Sequence, residues 1–383
     1  MDAVLMKDRE VLKEGISQRW AGKREEALQF IRLSLDKKKT FLYSAGMEIS
    51  CANLIYDYPE HLIATQPRDD FRTLLYEDGQ LNEISKSEIF ELFSPGDLLV
   101  LNDTKVTKCR IFTECGLEIL FVNELEDNVW EVLFPLKRMK QNKVYLPNGV
   151  SFEVVEKGLP QKIKVSQKLD EEYFSEYGEL ALPPYIQKAR GQRNNLTNDE
   201  DWYQTSWAKQ FGSTAAPTAS LHFSQSDLDV IRNRGVSIEF VTLHVGLGTF
   251  LPIKTEKLKD HKMHAEYCEI PISVKEKIEF TKANKARVWA LGTTVTRALE
   301  SIYTHHLQQS FDKLVGRTDL FITPGFRFKA VDVLMTNFHQ PGSTLLALVA
   351  AFVGLEEALS SYHWAVEKEF RLFSYGDFCI WKK

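Results

Sequence analysis

A chain of 383 residues exceeds the usual size of one domain, and 44% hydrophobic content is enough to build separate cores, so two domains are expected. A net charge of −5 argues against nucleic acid wrapped over the whole surface, while leaving room for a local basic patch. The longest apolar run, residues 345–353, is far too short to cross a bilayer, and charged residues near the start stand where a secretory signal needs an apolar core; both point to the cytoplasm. The five cysteines, Cys51, Cys109, Cys115, Cys268 and Cys379, are scattered and contain no C-x-x-C pair, so free buried thiols are expected rather than a disulfide framework or a zinc site.

In chain order, residues 1–50 mix charges of both signs, and Leu28, Ile31 and Leu35 share one face of an amphipathic helix. Glu25, Glu26 and Asp36 speak against a targeting peptide there. From Leu54 the text turns to YDYPEHLIATQP, rich in turns around Pro59 and Pro67, and then to LLYEDGQLNEI, a hairpin with its turn at Asp78-Gly79. Pro95-Gly96-Asp97 opens a strand over 98–101, which ends in Asn102, Asp103, Thr104 and Lys105, four hydrogen-bonding side chains in a row. Between 104 and 201 the helix signals fade. LEILFVN, NVWEVLFPL, NKVYLP, VSFEVVEK and QKIKVS are strand-length runs separated by turn residues, the pattern of an all-β insert folded as a small antiparallel barrel or sandwich. Two basic clusters fall within it, Lys137, Arg138, Lys140 and Lys143, and then Lys188, Arg190 and Arg193; each suits either phosphate or a solvated loop.

After 201 strands alternate with helices, as in an α/β layer. The small-residue run from Phe211 to His222 allows close backbone approach, and Ser224 caps a helix over 225–234. Residues 240–271, FVTLHVGLGTFLPIKTEKLKDHKMHAEYCEIP, combine a buried strand over 240–245 with His244 at its end, the glycine turn at Gly246 and Gly248, and His261, His264 and Glu266 in a polar loop or short helix. A helix over 274–284 and a strand over 287–291 lead into Gly292-Thr293-Thr294 and a helix over 295–303, with Arg297 one turn inside it. Strands over 319–323 and 331–335 follow, the second leading through Asn337 and His339 into an apolar helix over 344–353. Three strand ends with polar caps predict one shared cleft at the carboxyl edge of a sheet. His261-x-x-His264 lacks the i, i+4 spacing of the common helical zinc pair, and Gly246-x-Gly248 lacks the third glycine and the helix of a dinucleotide fingerprint. No phosphate loop or G-x-S-x-G elbow occurs. Histidines, carboxylates and neutral hydrogen-bonding groups remain, suited to general acid–base work on a polar substrate.

Taken together, DLLVLNDTKV, LPPYI, TAAPTASLHF, FVTLHVGLGTF, HKMHAEY, ALGTTVTRALES, the long stretch from Thr318 to Gly354, and FSYGD resemble the S-adenosylmethionine:tRNA ribosyltransferase-isomerase family of queuosine biosynthesis, over about 54–381. The resemblance implies an α/β fold: a three-layer α/β sandwich body with an inserted antiparallel β-barrel domain. The expected division is a helical extension over 1–50, the body's first part over 51–103, the insert over 104–201 and the body's second part over 202–383. It also implies the reaction: the ribosyl part of S-adenosylmethionine is moved onto 7-aminomethyl-7-deazaguanine at the tRNA wobble position and isomerised, giving epoxyqueuosine-tRNA with release of adenine and methionine. S-adenosylmethionine is then a consumed substrate, with no permanently bound cofactor and no metal; tRNA is the partner, and the protein is expected to act as a monomer. His244 and His264 are the acid–base candidates, with Asp103 and Glu266 neutralising the sulfonium or orienting the imidazoles. Asn102, Thr214, His222, Gly246, Gly248, Thr249, Thr293, Thr294, Asn337 and His339 are the substrate-binding candidates, and Arg297 is matched to the methionine carboxylate or a phosphate. Lys137, Arg138, Lys140 and Lys143 are assigned to tRNA. The chain departs from the family in the stretch from Pro67 to Leu74, at Ser220, where glycine is usual, at Gln340, where leucine is common, and in its first fifty residues. A catalytically silent tRNA-binding relative and another S-adenosylmethionine-dependent RNA-modifying enzyme are the competing readings.

Overall fold

A computed structural model describes residues 49–126, 128–139, 144–246 and 253–382; the helix expected around Leu28 to Leu35 lies outside them. Strands β1 (Thr73–Glu77) and β2 (Gln80–Ile84) form the predicted hairpin, and both turn residues, Asp78 and Gly79, take positive φ (48° and 78°), as a tight two-residue turn between twisted strands requires. β3 (Leu98–Asn102) is buried along its whole length, which explains why it reads as an unbroken apolar run rather than an alternation. β4 (Thr104–Val106) follows at once.

β5 (Arg110–Phe112), β6 (Glu118–Glu124), β7 (Val129–Leu133), β8 (Val144–Tyr145), β9 (Ser151–Glu156) and β10 (Gln161–Val165) make a six-stranded antiparallel sheet in the order β5-β6-β7-β10-β9-β8. Its end strands are not joined by a ladder, and a hydrogen bond from Glu114 N–H to the Tyr145 carbonyl (3.0 Å) draws them together at one corner. Ile111, Ile119, Phe121, Val132, Phe152 and Ile163 give this sheet its own core, with Phe174 of the helix Glu171–Tyr177 closing it. The segment from 104 to 201 is therefore not all-β: Glu171–Tyr177, Pro184–Arg190 and Asp199–Trp202 are helical. Each is only one or two turns long, too short to show a clear 3.6-residue apolar period.

β11 (Gln210–Ser213) pairs with β4, and β12 (Ser237–Leu243), β13 (Glu266–Pro271), β14 (Val288–Leu291), β15 (Leu307–Ser310), β16 (Lys313–Thr318), β17 (Val333–Asn337) and β18 (Phe378–Lys382) complete a ten-stranded mixed sheet. Its order is β15-β16-β13-β12-β3-β14-β17-β18-β1-β2, with β12, β3, β14 and β17 parallel. Leu99, Leu101, Trp289, Leu291 and Met335 face a core that also takes Ile89 from the helix Lys86–Glu91, Phe93 just beyond its end, and Leu228 and Ile231 from the helix Gln225–Asn233. Ser224 caps the second of these through Asp227 N–H, as its sequence predicts.

Two expectations fail here. Residues 319–323 form coil, because β16 ends at Thr318 and the chain then turns its carbonyls toward Arg297 instead of a neighbouring strand. Glu266 opens β13 rather than lying in a loop or helix, since Glu266 to Pro271 find a six-residue antiparallel partner in β16. Among the described residues no single helix is long and apolar enough to cross a membrane; the bent pair Thr344–Val353 and Leu355–Glu367 is mostly buried within the fold.

Candidate active site

The four parallel strands β12, β3, β14 and β17 lie side by side, so the residues following them gather at one carboxyl edge, where open α/β sheets place their ligands. Gly292 leaves β14 with φ +102°, a conformation L side chains rarely adopt, and donates its N–H to the Met335 carbonyl of β17 (2.7 Å). The helix Thr293–Ser301 starts there, and its first residues line a cavity bounded by residues 216–219 and 336–341, with Tyr185, Phe373 and Ser374 beside them. Thr293 and Thr294 line it, and among the described residues the buried Thr294 hydroxyl has no hydrogen-bond partner. Ser220, fully buried behind Ala219, also has an unpartnered hydroxyl, and Gln340 lines the cavity.

Asn337, the last residue of β17, is held on both sides. Its Oδ1 accepts from Thr218 Oγ1 (2.9 Å) and its Nδ2 meets His222 Nε2 (2.9 Å). Burial against Phe71 and Phe378 pushes the His222 pKa down to about 3, so the ring is neutral and Nε2 accepts. His339 is likewise pushed down to about 3 by burial, with Nε2 against Thr336 Oγ1 (3.0 Å) and its backbone tied to Tyr362 and Tyr56. These two imidazoles order the wall of the cavity and carry no charge.

A second polar cluster forms where β3 and β12 end. His244 Nδ1 meets Thr104 Oγ1 (2.7 Å), and its ring stacks on Tyr267 at 5.3 Å and 20°. Gly212 closes the Nε2 side: a Cβ there would come within 2.9 Å of Cδ2 and Nε2. Burial lowers the His244 pKa, and it raises that of Asp103, which accepts a hydrogen bond from Thr242 Oγ1 (2.7 Å). Thr242, His244, Tyr267, Glu269 and Gln210 line a shallow concavity of about 300 Å³. Asn102 sits beneath this cluster and has an internal task, its amide bonding both the N–H (3.1 Å) and the C=O (2.9 Å) of Leu243.

Between the two clusters runs the backbone of Val245 and Gly246. The N–H and hydroxyl of Thr214 both donate to the Val245 carbonyl, at 3.0 and 2.8 Å. The Gly246 N–H donates to Glu266 Oε1 (2.8 Å), and Glu266 Oε2 forms an ion pair with Arg297, which also reaches the Leu320 carbonyl through Nε (3.1 Å). Both side chains of this pair are buried, so Arg297 lies within the protein rather than facing the cavity. His264 is exposed in the coil before β13. Gly248 and Thr249 lie outside the described residues, as do Lys140 and Lys143; Lys137 and Arg138 are exposed on the turn Leu136–Arg138. Of the second basic cluster, Arg190 is paired with buried Asp199 and Lys188 with Glu60. In the departing stretch near Pro67, Arg72 grips Glu83 with two 2.7 Å bonds. Thr218, Tyr267 and the ring-packing role of Gly212 are not legible as site features in the sequence; only Gly212 carries a signal, as a glycine within a run of small residues.

Known proteins resemble this chain over most of its length. A family model described as queuosine biosynthesis protein matches residues 51–380. Proteins named S-adenosylmethionine:tRNA ribosyltransferase-isomerase from Staphylococcus aureus strains JH9 and Newman are each 43% identical over 338 residues, covering 84% of this chain and 96% of theirs. A crystal structure of an S-adenosylmethionine tRNA ribosyltransferase from Thermotoga maritima aligns with 29% identity and a TM-score of 0.49, over 86% of this chain and 99% of that one. By the extent of the family match and the identity to these relatives, the chain belongs to the queuosine biosynthesis protein family.

Proposed function

We infer that the protein moves and isomerises the ribosyl moiety of S-adenosylmethionine onto 7-aminomethyl-7-deazaguanine at the wobble position of tRNA, giving epoxyqueuosine-tRNA and releasing adenine and methionine. The relatives that share 43% of its residues carry the name of this activity. The observation that carries the reading on this chain is the cavity at the carboxyl edge, lined by neutral hydrogen-bonding groups and aromatic rings, with a buried hydroxyl left unpartnered. Neutral donors and acceptors beside aromatic rings suit a purine nucleoside.

The chemistry asks for a base and an acid. The sulfonium acidifies the adjacent 5′ carbon, so a group must take its proton, and adenine must be protonated as it leaves. His244 is assigned as the base, because its lowered pKa keeps it neutral near pH 7 and Thr104 and Tyr267 fix its ring. His264 is the acid candidate, and Asp103 balances the sulfonium charge. Thr293, Thr294, Asn337 and His339 take the nucleoside. S-adenosylmethionine is consumed and no resident cofactor is required. The assignment includes the three-layer body, the division at 50, 103 and 201, a barrel-like insert built on the six-stranded sheet, and tRNA lying across the small sheet and the body of a cytoplasmic monomer.

One incubation tests the reading. The protein, S-adenosylmethionine and tRNA bearing the aminomethyl base should yield adenine, methionine and a heavier wobble nucleoside. S-adenosylhomocysteine without adenine would identify a methyl transfer instead, and tRNA binding with no turnover would identify a silent relative.

A further inference from the structure

The carboxylate of S-adenosylmethionine needs a counterpart, and among the described residues the cavity holds no cation for it. Among the described residues no lysine or arginine lines the cavity, and burial keeps the His339 imidazole in its wall neutral. Arg297, one turn into the helix Thr293–Ser301, is buried in its ion pair with Glu266 and bonded to the Leu320 carbonyl, so it lies out of reach. What the cavity does hold is the start of that nine-residue helix. Its first-turn N–H groups lack i−4 acceptors, and the peptide dipoles leave partial positive charge at that end.

A second, independent feature sits at the same place. Thr294 is 7% exposed and lines the cavity, yet among the described residues its Oγ1 has no hydrogen-bond partner. The hydroxyl points back over Gly292, 3.5 Å from where a Cβ on that glycine would stand, so it faces the helix start. A buried hydroxyl without a partner is unfavourable, and an acceptor arriving at the helix start would satisfy it together with the N–H groups. Resting on the functional reading above, we propose that the substrate's amino-acid carboxylate is seated on the N-terminus of the helix Thr293–Ser301 by the first-turn N–H groups and the Thr294 hydroxyl, with no cationic side chain taking part. Helix starts bind anions in this manner generally.

The test compares two ligands on the full-length protein by calorimetry: S-adenosylmethionine and its decarboxylated analogue, which keeps the sulfonium and the adenosine. The unaltered protein should bind S-adenosylmethionine about tenfold or more tightly than the analogue. Thr294→Val, which removes the hydroxyl at nearly constant volume, should weaken S-adenosylmethionine about tenfold and change the analogue by less than about twofold. Thr294→Ser should recover most of the lost affinity. Equal weakening of both ligands would place the hydroxyl on the adenosine and overturn the proposal, as would no weakening of either. Equal affinity of the unaltered protein for the two ligands would overturn it without any variant. Failure to bind either ligand would overturn the functional reading and this seat with it.

Discussion

His244 owes its place to a residue that carries no side chain. Gly212, with φ +132°, lies against the Nε2 side of the imidazole, and Tyr267 stacks on the ring. Any Cβ at 212 would enter the ring's van der Waals envelope, so the imidazole would have to swing off the Thr104 hydroxyl. Gly212→Ala should therefore lower kcat/KM for ribosyl transfer by about 10²-fold, the loss expected from a displacement near 1 Å, with the fold retained; steady-state kinetics beside a thermal melt checks it, and undiminished turnover would remove His244 from the mechanism. Asn102 and Arg297 teach the converse. Both are polar residues near strand or helix ends, as ligand-binding groups would be, yet both are bonded within the protein. Sequence places a polar side chain at an edge but does not say whether a backbone carbonyl or a substrate meets it, because that partner comes from a distant segment.

At the scale of elements, the Glu266–Arg297 pair joins three pieces: the start of β13, the helix Thr293–Ser301 and the turn at Gly246. Arg297→Met would take away the cation that balances a buried carboxylate and should cost about 3–5 kcal/mol, read as a lower urea midpoint. Glu266→Leu combined with Arg297→Met removes both charges and should recover much of that stability. Activity should stay low in the double variant, because the Gly246 N–H has lost its acceptor; recovered turnover would show that the pair serves folding alone. The elements were legible where local chemistry decides them. Asp78-Gly79 turns the first hairpin, Ser224 caps its helix, and the apolar run over 344–353 forms the helix Thr344–Val353. They were illegible where a neighbour decides them, as at 319–323, where the Leu320 carbonyl goes to Arg297, and at 266–271, which became a strand by pairing with β16.

At the scale of the whole molecule, the large mixed sheet bears the cavity, and the six-stranded antiparallel sheet carries the exposed Lys137 and Arg138 on the turn after β7. If that surface meets tRNA phosphates, neutralising Lys137, Arg138, Lys140 and Lys143 together should weaken tRNA binding and flatten its salt dependence by roughly 0.7 to 0.9 in log–log slope for each phosphate that is no longer neutralised. Filter binding over a range of salt concentrations measures both, and an unchanged slope would move tRNA to another surface. By itself the sequence determined the α/β class, the first hairpin, the buried strands that lead to the site and the strand-rich insert, because apolar period, turn residues and caps are local properties, and the resemblance to the family marked the cluster of glycines, threonines and histidines. Only the tertiary structure decided which strand ends meet, that the C-terminal strand β18 lies between β17 and β1, that two histidines are held neutral, and that Arg297 is bound internally while Thr294 is left unpartnered. Each of these depends on burial and on partners far away in the chain, which no local pattern encodes.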